Sequence, residues 1–408
     1  MNLKISKINK TLKGKIVLSG SKSESNRVLI IKALCQKDFN IENISNSDDT
    51  KLLVNLLNSN ENILNTKNAG TVMRFLSSFF ALTTNKEIIL TGSQRMKERP
   101  ISFLVNELIN IGANIEYLEK TGYPPIKIKP SKLLGGEIFI DGSVSSQYIT
   151  SLLLIAPLLD KGLIINIKNK LISKPYVEMT LKIMSHFGIK YQFQNNKIII
   201  AKQDYISKDY KVESDWSSAS YWYLMSALSD YVDLEISFLK QNSLQGDFII
   251  SKIMSEFGIK TNFYKNKIHL SKSNYICKDF DYDFSNYPDI AQTIAVLCSA
   301  LNVKAKLRGL DSLRIKETDR VNALILELKK FGVEIEENEN ILFINSGISK
   351  NSNNLIKTYK DHRMAMSFSP LAIILDTIII EDNSIIEKSY PNFWNDLKSI
   401  GFQLLKED

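Results

Sequence analysis

The sequence predicts an α/β protein of two domains assembled from six similar units. Its 408 residues exceed what one ordinary core organises, which points to two or three domains. A helix, glycine, strand pattern recurs along the chain, and no Pro/Gly/Ser-rich or low-complexity tract interrupts it. "KIMSHFGIKYQFQNNKIII" at 182 to 200 is echoed by "KIMSEFGIKTNFYKNKIHL" at 252 to 270, an offset of 70 residues. "ELINIGANIEY" (107 to 117), "ELKKFGVEIEE" (327 to 337) and "DLKSIGFQLL" (396 to 405) carry the same punctuation. The marker glycines are Gly112, Gly188, Gly258, Gly332 and Gly401, spaced by 76, 70, 74 and 69 residues.

Each unit reads as an amphipathic helix stopped by a C-cap glycine and followed by an alternating strand. Val321, Leu324, Ile325, Leu328 and Phe331 form one helical stripe in the last full unit, the one that Gly332 closes. A sixth unit must precede Gly112, with residues 51 to 64, "KLLVNLLNSNENIL", as its shortened helix and strand. A period near 70 residues is long for a solenoid, so three units per domain is the better arrangement. Ligands of such proteins commonly sit where domains join. Residues 348 to 355, "ISKNSNNL", read as a surface loop.

Composition narrows the class. The longest apolar runs, "LLLIAPLL" and the pair "LAIIL" and "TIII", are too short to cross a bilayer. The N-terminus has no continuous apolar segment, so a cytoplasmic protein without membrane contact is expected. Cys35, Cys277 and Cys298 make no C-x-x-C pair, and His186, His269 and His362 show no metal-binding spacing. A net charge of +8 favours acidic partners or simply reflects a Lys-rich composition.

The placement of the cations is more telling. "SGSKSESNR" (19 to 27) lies between a strand-like run, Ile16 to Leu18, and a helix-like run from Val28, with the helix expected to start near Ser23 to Ser25. Serines cap helices, but Lys22 and Arg27 there oppose the helix dipole. "KNAGTVMRF" puts Arg74 in a first helical turn. "SLRIKETDR" puts Lys316 and Arg320 around a start near Thr318, and "KDHRMAM" puts Arg363 after an Asp361 N-cap. Each case alone is open to a salt bridge with Glu24, Asp319 or Asp361. Four together favour a bound polyanion, because a phosphate of roughly −2 charge attracts both cation and dipole. No Walker loop and no G-x-G-x-x-G occurs, and no aromatic-interleaved basic stripe speaks for nucleic acid.

The ordered set "SKSESNR", "NAGTVMR", "RMKERPI", "DGSVSSQY", "SKPYVE", "SDWSSASYW", "YPDIAQTIA", "RIKETDR" and "DHRMAM" resembles the 5-enolpyruvylshikimate-3-phosphate synthase family over nearly the whole chain. The resemblance implies a two-domain inside-out α/β barrel of six βαβαββ repeats, three per domain, the first repeat shortened. Because the family's N-terminal strand belongs to the second domain, the expected domains are 1–20 plus 214–408 and 21–213. It implies transfer of the enolpyruvyl group of phosphoenolpyruvate to the 5-hydroxyl of shikimate 3-phosphate on the way to chorismate and aromatic amino acids. It further implies no cofactor or metal, a monomer, and glyphosate as an inhibitor.

Carried over by motif, the resemblance assigns shikimate 3-phosphate to Lys22, Ser23, Arg27, Ser145, Ser146, Gln147, Ser173, Tyr176, Asp289, Ser312 and Lys316. Phosphoenolpyruvate falls to Lys22, Gly70, Arg99, Gln147, Arg320, Arg363 and Lys388. Arginine's planar fork suits carboxylate and phosphate, and the hydroxyls and amide of "SVSSQ" suit phosphate and ring hydroxyls. Gly70 lets backbone approach the ligand or merely starts a helix. Tyr176 packs over the ring or belongs to the core. For proton transfer Asp289 is the first choice at the 5-hydroxyl, and Glu317 or Lys22 at the methylene carbon. Asp215 reads equally as a site residue and as an N-cap. Three departures from the family stand out: the short segment from Asp49 to Asn68, Phe75 where proline is usual, and Ser312 where asparagine is expected. UDP-N-acetylglucosamine enolpyruvyl transferase is the nearest alternative, disfavoured because no cysteine lies between Cys35 and Cys277. A non-catalytic polyanion or nucleic-acid binder is the alternative of another class.

Overall fold

A computed structural model describes residues 1–349 and 354–407. Of the loop expected at 348 to 355, residues 350–353 lie outside the described residues. The chain divides into two units, one of residues 1–21, 46–48 and 213–408, the other of residues 22–45 and 49–212. The breaks thus fall after Ser21 and Val212 rather than after residues 20 and 213, and residues 46–48 group with the first unit.

The described residues form five four-stranded sheets and one two-stranded ladder. Strands Ile63–Asn65, Ile88–Thr91, Asn114–Tyr117 and Ile126–Lys129 show the pattern. The first two pair in parallel through the helix Gly70–Thr83, and the last two form a hairpin that adds antiparallel to the second. The order along the chain is βαβαββ, and the same pairing recurs in the other four sheets. Two of them borrow strands from the N-terminus: Asn2–Ser6 pairs with Thr377–Ile380 and Gln403–Glu407, while Thr11–Ile16 pairs in parallel with Tyr231–Ser237. The marker glycines hold φ between 74° and 113°, a left-handed turn from helix into strand that other residues adopt at a cost.

The shortened first repeat differs from expectation in one respect. The helix is present as Asp48–Leu57, but the strand Ile63–Asn65 pairs with Ile88–Thr91 and so opens the next sheet. What remains of the first repeat's sheet is the ladder of Ile41–Glu42 with Tyr210–Lys211. Its hairpin is missing because the chain passes from that helix to the next sheet within five residues, 58 to 62.

The helices on the inner faces are apolar nearly all round, which marks them as fully buried. Trp216–Leu228 buries twelve residues and Ala291–Ala300 nine, and both belong to the continuous core of the first unit. In the second unit Gly70–Thr83 and Ser146–Ile155 play this part, with Val72, Met73, Leu76, Ile149 and Leu152 inaccessible. Buried helices of this kind hold polar groups only where they are partnered. Those polar groups form the candidate site.

Candidate active site

In the unit of residues 22–45 and 49–212, the helix Lys22–Leu34 begins at Lys22 itself. Lys22 Nζ lies 3.2 Å from Asp49 Oδ2, a carboxylate that the sequence did not single out as its partner. Arg27 is in the second turn rather than the first and folds back to donate to the Ser23 carbonyl at 2.7 Å. Its other donors reach Thr180 Oγ1 (2.8 Å), the Tyr176 carbonyl (3.3 Å) and Thr150 Oγ1 (3.4 Å), and its guanidinium stands 5.7 Å from the Phe75 ring centre. Four helices therefore converge on Arg27. Burial pushes this guanidinium down to about 10, against the opposing pull of Tyr176, Glu24 and Tyr210.

Arg74 corrects the expectation of a ligand-facing cation in a first turn. It too is one turn further in, and it donates to the Gly70 carbonyl (3.1 Å) and the Pro100 carbonyl (3.3 Å). Dipole opposition applies to the first turn, so neither Arg27 nor Arg74 meets it. By gripping Pro100, together with Tyr148 Oη at 2.6 Å, Arg74 fixes the segment that carries Arg99.

Arg99 is buried and its guanidinium lies against the start of the helix Gly70–Thr83. A Cβ built on Gly70 would stand 2.7 Å from Nη2, 2.8 Å from Nη1 and 2.9 Å from Cζ of Arg99. Gly70 does not sit at positive φ, so the close approach of Arg99 explains this glycine. The reading that it merely starts a helix does not. Beside it, Gln147 Nε2 donates to Thr71 Oγ1 at 3.2 Å. Ser145 is the N-cap of the helix Ser146–Ile155 and accepts from the Gln147 amide, while Ser146 is buried. Ser173 caps Lys174–His186 with φ 52° and no side-chain capping bond, a left-handed serine of the kind that concentrates at functional sites. Tyr176, half-buried, follows it, and its amide donates to the Ser173 carbonyl at 3.0 Å.

The other unit holds a second cluster. Arg320 is the first residue of the helix Arg320–Lys329, capped by Asp319. It is 2 % exposed and donates to Asp361 Oδ2 (2.7 Å), Glu317 Oε2 (2.8 Å) and Asp289 Oδ1 (3.3 Å). Burial alone would lower its pKa, but Asp361, Glu317 and Asp289 outweigh burial and hold it above its ordinary value. Lys388 Nζ meets Glu317 Oε1 at 2.7 Å. Arg363 pairs with Asp289 Oδ2 at 3.1 Å and donates to the Asp289 carbonyl (2.9 Å), Tyr221 Oη (3.4 Å) and Ser217 Oγ (3.4 Å). Burial pushes the Tyr221 phenol up to about 12, so it stays protonated beside the arginine. Asp361 is inaccessible, caps His362–Phe368 and accepts from the Arg363 amide at 2.8 Å.

The carboxylate partners open to these cations are present, and they are buried rather than surface pairs. Arg320, Arg363 and Lys388 form one buried network with Asp289, Glu317 and Asp361. Three cations face three carboxylates, and Asp289 and Glu317, two of the three expected proton carriers, are among them. Such a cluster can bind an anion by exchanging internal partners, and its carboxylates can take protons beside it. Ser312 lies half-buried on the turn Asp311–Ile315, with Lys316 at its end. Asp215 proves to be an N-cap, accepting from the Ser218 amide at 2.7 Å.

Sequence reasoning missed Thr71, Thr150, Thr180, Asp49 and Tyr221. Thr150 and Thr180 sit in apolar helical stripes and read as core. The available signal was that Thr150 lies four residues after Ser146, on one helical face. Among the described residues no group of three or more His, Cys, Asp or Glu is arranged to hold a metal ion. No helix there is long and apolar enough to cross a membrane.

Repeats of βαβαββ order, with buried arginines and hydroxyls in or against the first two turns of their helices, define the class: a two-unit α/β protein with a cluster of buried cations in each unit. The chain matches the family described as EPSP synthase (3-phosphoshikimate 1-carboxyvinyltransferase) over residues 6–59 and 54–397. It is 41% identical to the 3-phosphoshikimate 1-carboxyvinyltransferase of Bacteroides fragilis over 394 residues, covering 96% of each chain. It is 37% identical to that of Histophilus somni over 419 residues, covering 95% of this chain and 96% of the relative. A solved EPSP synthase from Acinetobacter baumannii superposes with a TM-score of 0.79 at 21% identity, covering 99% of this chain and 100% of that one. The chain belongs to the EPSP synthase family.

Proposed function

We infer that the protein transfers the carboxyvinyl group of phosphoenolpyruvate to the 5-hydroxyl of shikimate 3-phosphate and releases inorganic phosphate, in the pathway to chorismate. The 5-hydroxyl oxygen bonds to C2 of phosphoenolpyruvate while C3 takes up a proton, which gives a tetrahedral intermediate. C3 then gives up a proton, the C2 to phosphate-oxygen bond breaks, and phosphate leaves. Electrons and atoms balance without a redox partner.

The observation that carries this reading is the buried network in which Arg320, Arg363 and Lys388 share Asp289 and Glu317. Phosphoenolpyruvate needs cations for its carboxylate and phosphate and a nearby group that moves protons, and this network supplies both types. Lys22, Gly70, Arg99 and Gln147 complete the assignment to phosphoenolpyruvate. Ser23, Arg27, Ser145, Ser146, Ser173, Tyr176, Ser312 and Lys316 are assigned to shikimate 3-phosphate with Lys22, Gln147 and Asp289. Arg27 has its donors committed inside the protein, so its role is the positive field it brings to a dry setting and any donor it exchanges. Asp289 takes the 5-hydroxyl proton, and Glu317 or Lys22 protonates C3. A monomer located in the cytoplasm, and inhibition by glyphosate at the phosphoenolpyruvate subsite, belong to the same proposal.

Arginines 2 % and 7 % exposed do not form the accessible stripe that a nucleic-acid binder needs. The test is phosphate release from phosphoenolpyruvate with and without shikimate 3-phosphate. Release that requires both substrates is the expected result. Release that is indifferent to shikimate 3-phosphate, or sustained equally by UDP-N-acetylglucosamine, would overturn the reading.

A further inference from the structure

The helix Arg320–Lys329 touches the segment preceding Arg363 at two places two turns apart. At its start Arg320 meets Asp361. Seven residues later, on the same face, Glu327 is inaccessible to solvent and accepts three donors. Its Oε1 takes the Tyr359 hydroxyl at 2.6 Å, and its Oε2 takes the Lys357 amide at 3.1 Å and Lys330 Nζ at 2.6 Å. The segment so held is strained: Tyr359 and Lys360 are consecutive non-glycine residues at φ 52° and 56°, a conformation that persists only where surrounding contacts enforce it. From the other side the Thr358 amide donates to Glu381 Oε2 at 3.1 Å, and the Asp361 amide closes a turn onto the Thr358 carbonyl at 2.8 Å.

We propose that Glu327 is a positioning residue for the phosphoenolpyruvate-binding arginines. By fixing Tyr359 and Lys357 it holds residues 357 to 361 in the left-handed bend that brings Asp361 to Arg320 and Arg363 to Asp289. The proposal rests on the functional reading above. Burying a carboxylate carries a desolvation cost that a leucine would not, so a residue needed only to fill the core has no reason to be glutamate. What the carboxylate adds is direction, two acceptors aimed at two points of one short segment.

The test uses Glu327→Gln, Tyr359→Phe and the double variant of the full chain. The readouts are both Michaelis constants, kcat, the thermal midpoint and amide hydrogen exchange at Lys357 and Asp361. Each single variant is expected to raise KM for phosphoenolpyruvate by about five- to twenty-fold, with KM for shikimate 3-phosphate within about twofold. The double variant should fall short of the product of the single effects, because Tyr359→Phe removes one of the three bonds that meet at the Glu327 carboxylate, and the Lys357 amide should exchange faster in Glu327→Gln. The proposal is overturned if only the midpoint falls, if both Michaelis constants rise together, or if the single effects multiply. A wild-type protein that releases no phosphate from the two substrates overturns the functional reading and this proposal with it. A wild-type protein that turns over normally beside kinetically silent variants overturns this proposal alone.

Discussion

Replacing Gly70 by alanine isolates a single contact. The added methyl would stand 2.7 Å from Arg99 Nη2, about 0.7 Å short of the 3.4 Å at which ordinary contact begins. Neither side yields freely. Gly70 opens a buried helix, and Arg99, 5 % exposed, immediately precedes Pro100, whose carbonyl Arg74 and Tyr148 hold. The guanidinium must therefore swing by most of an ångström. Overpacking costs roughly 1 to 3 kcal/mol, while alanine returns up to about 1 kcal/mol of helix propensity, so the net change in stability is small. The kinetic effect is larger, since a displacement near 1 Å in a binding group can cost on the order of a hundredfold. The expected outcome is KM for phosphoenolpyruvate raised about 10- to 100-fold, with shikimate 3-phosphate affinity and far-ultraviolet circular dichroism close to wild type. Steady-state kinetics with each substrate varied in turn reads this directly. An unchanged KM for phosphoenolpyruvate in a folded Gly70→Ala protein would refute the argument that Arg99 reads the ligand from this position.

Three further perturbations have defined outcomes. Asp361→Ala strips Arg320 of its 2.7 Å partner and should cost roughly 3 to 5 kcal/mol, seen as an early denaturant transition of the unit of residues 1–21, 46–48 and 213–408; an unmoved midpoint would contradict the buried pairing. Phe75→Leu removes the ring beneath Arg27, an interaction of about 0.5 to 2 kcal/mol, and should raise KM for shikimate 3-phosphate about two- to tenfold while leaving that for phosphoenolpyruvate; a reversed pattern would detach Phe75 from Arg27. Burial raises the Asp396 pKa despite the hydrogen bond from Tyr390 Oη. A raised folded-state value means that the stabilising contribution is complete below the ordinary value of 3.8 and is lost as pH rises through the folded value. Asp396→Asn should therefore flatten the dependence of the unfolding midpoint on pH between the ordinary and the raised value, and equal slopes in variant and wild type would reject it.

Legibility in the sequence followed the range of the interaction. The glycine-stopped helices and their strands are local signals, and Gly112, Gly188, Gly258, Gly332 and Gly401 all turn left-handed where expected. The strand Ile63–Asn65 was legible as a strand but not as a member of the second sheet, because three residues carry no information about which edge they join. Arg27 and Arg74 were each placed one turn early, since a helix that starts without a side-chain cap, as at Gly70, leaves no mark of its first residue. The cations of the site were readable by type and motif. Asp361 was readable as a possible partner of a cation, but not the pairing of Arg320 with it and with Asp289, because they lie 41 and 31 residues from Arg320 and meet it only through the packing of buried helices. Thr150 and Thr180 were hidden for the same reason: a hydroxyl within an apolar stripe declares itself only when a guanidinium arrives from another helix.

The central claim is that the buried arginines sharing Asp289 serve the enol donor, and Arg363→Ala tests it most directly. Phosphate-release kinetics should show KM for phosphoenolpyruvate raised by at least about a hundredfold, the scale of a lost charge-assisted contact, with turnover still dependent on shikimate 3-phosphate. Wild-type affinity for phosphoenolpyruvate in the folded variant would contradict the account.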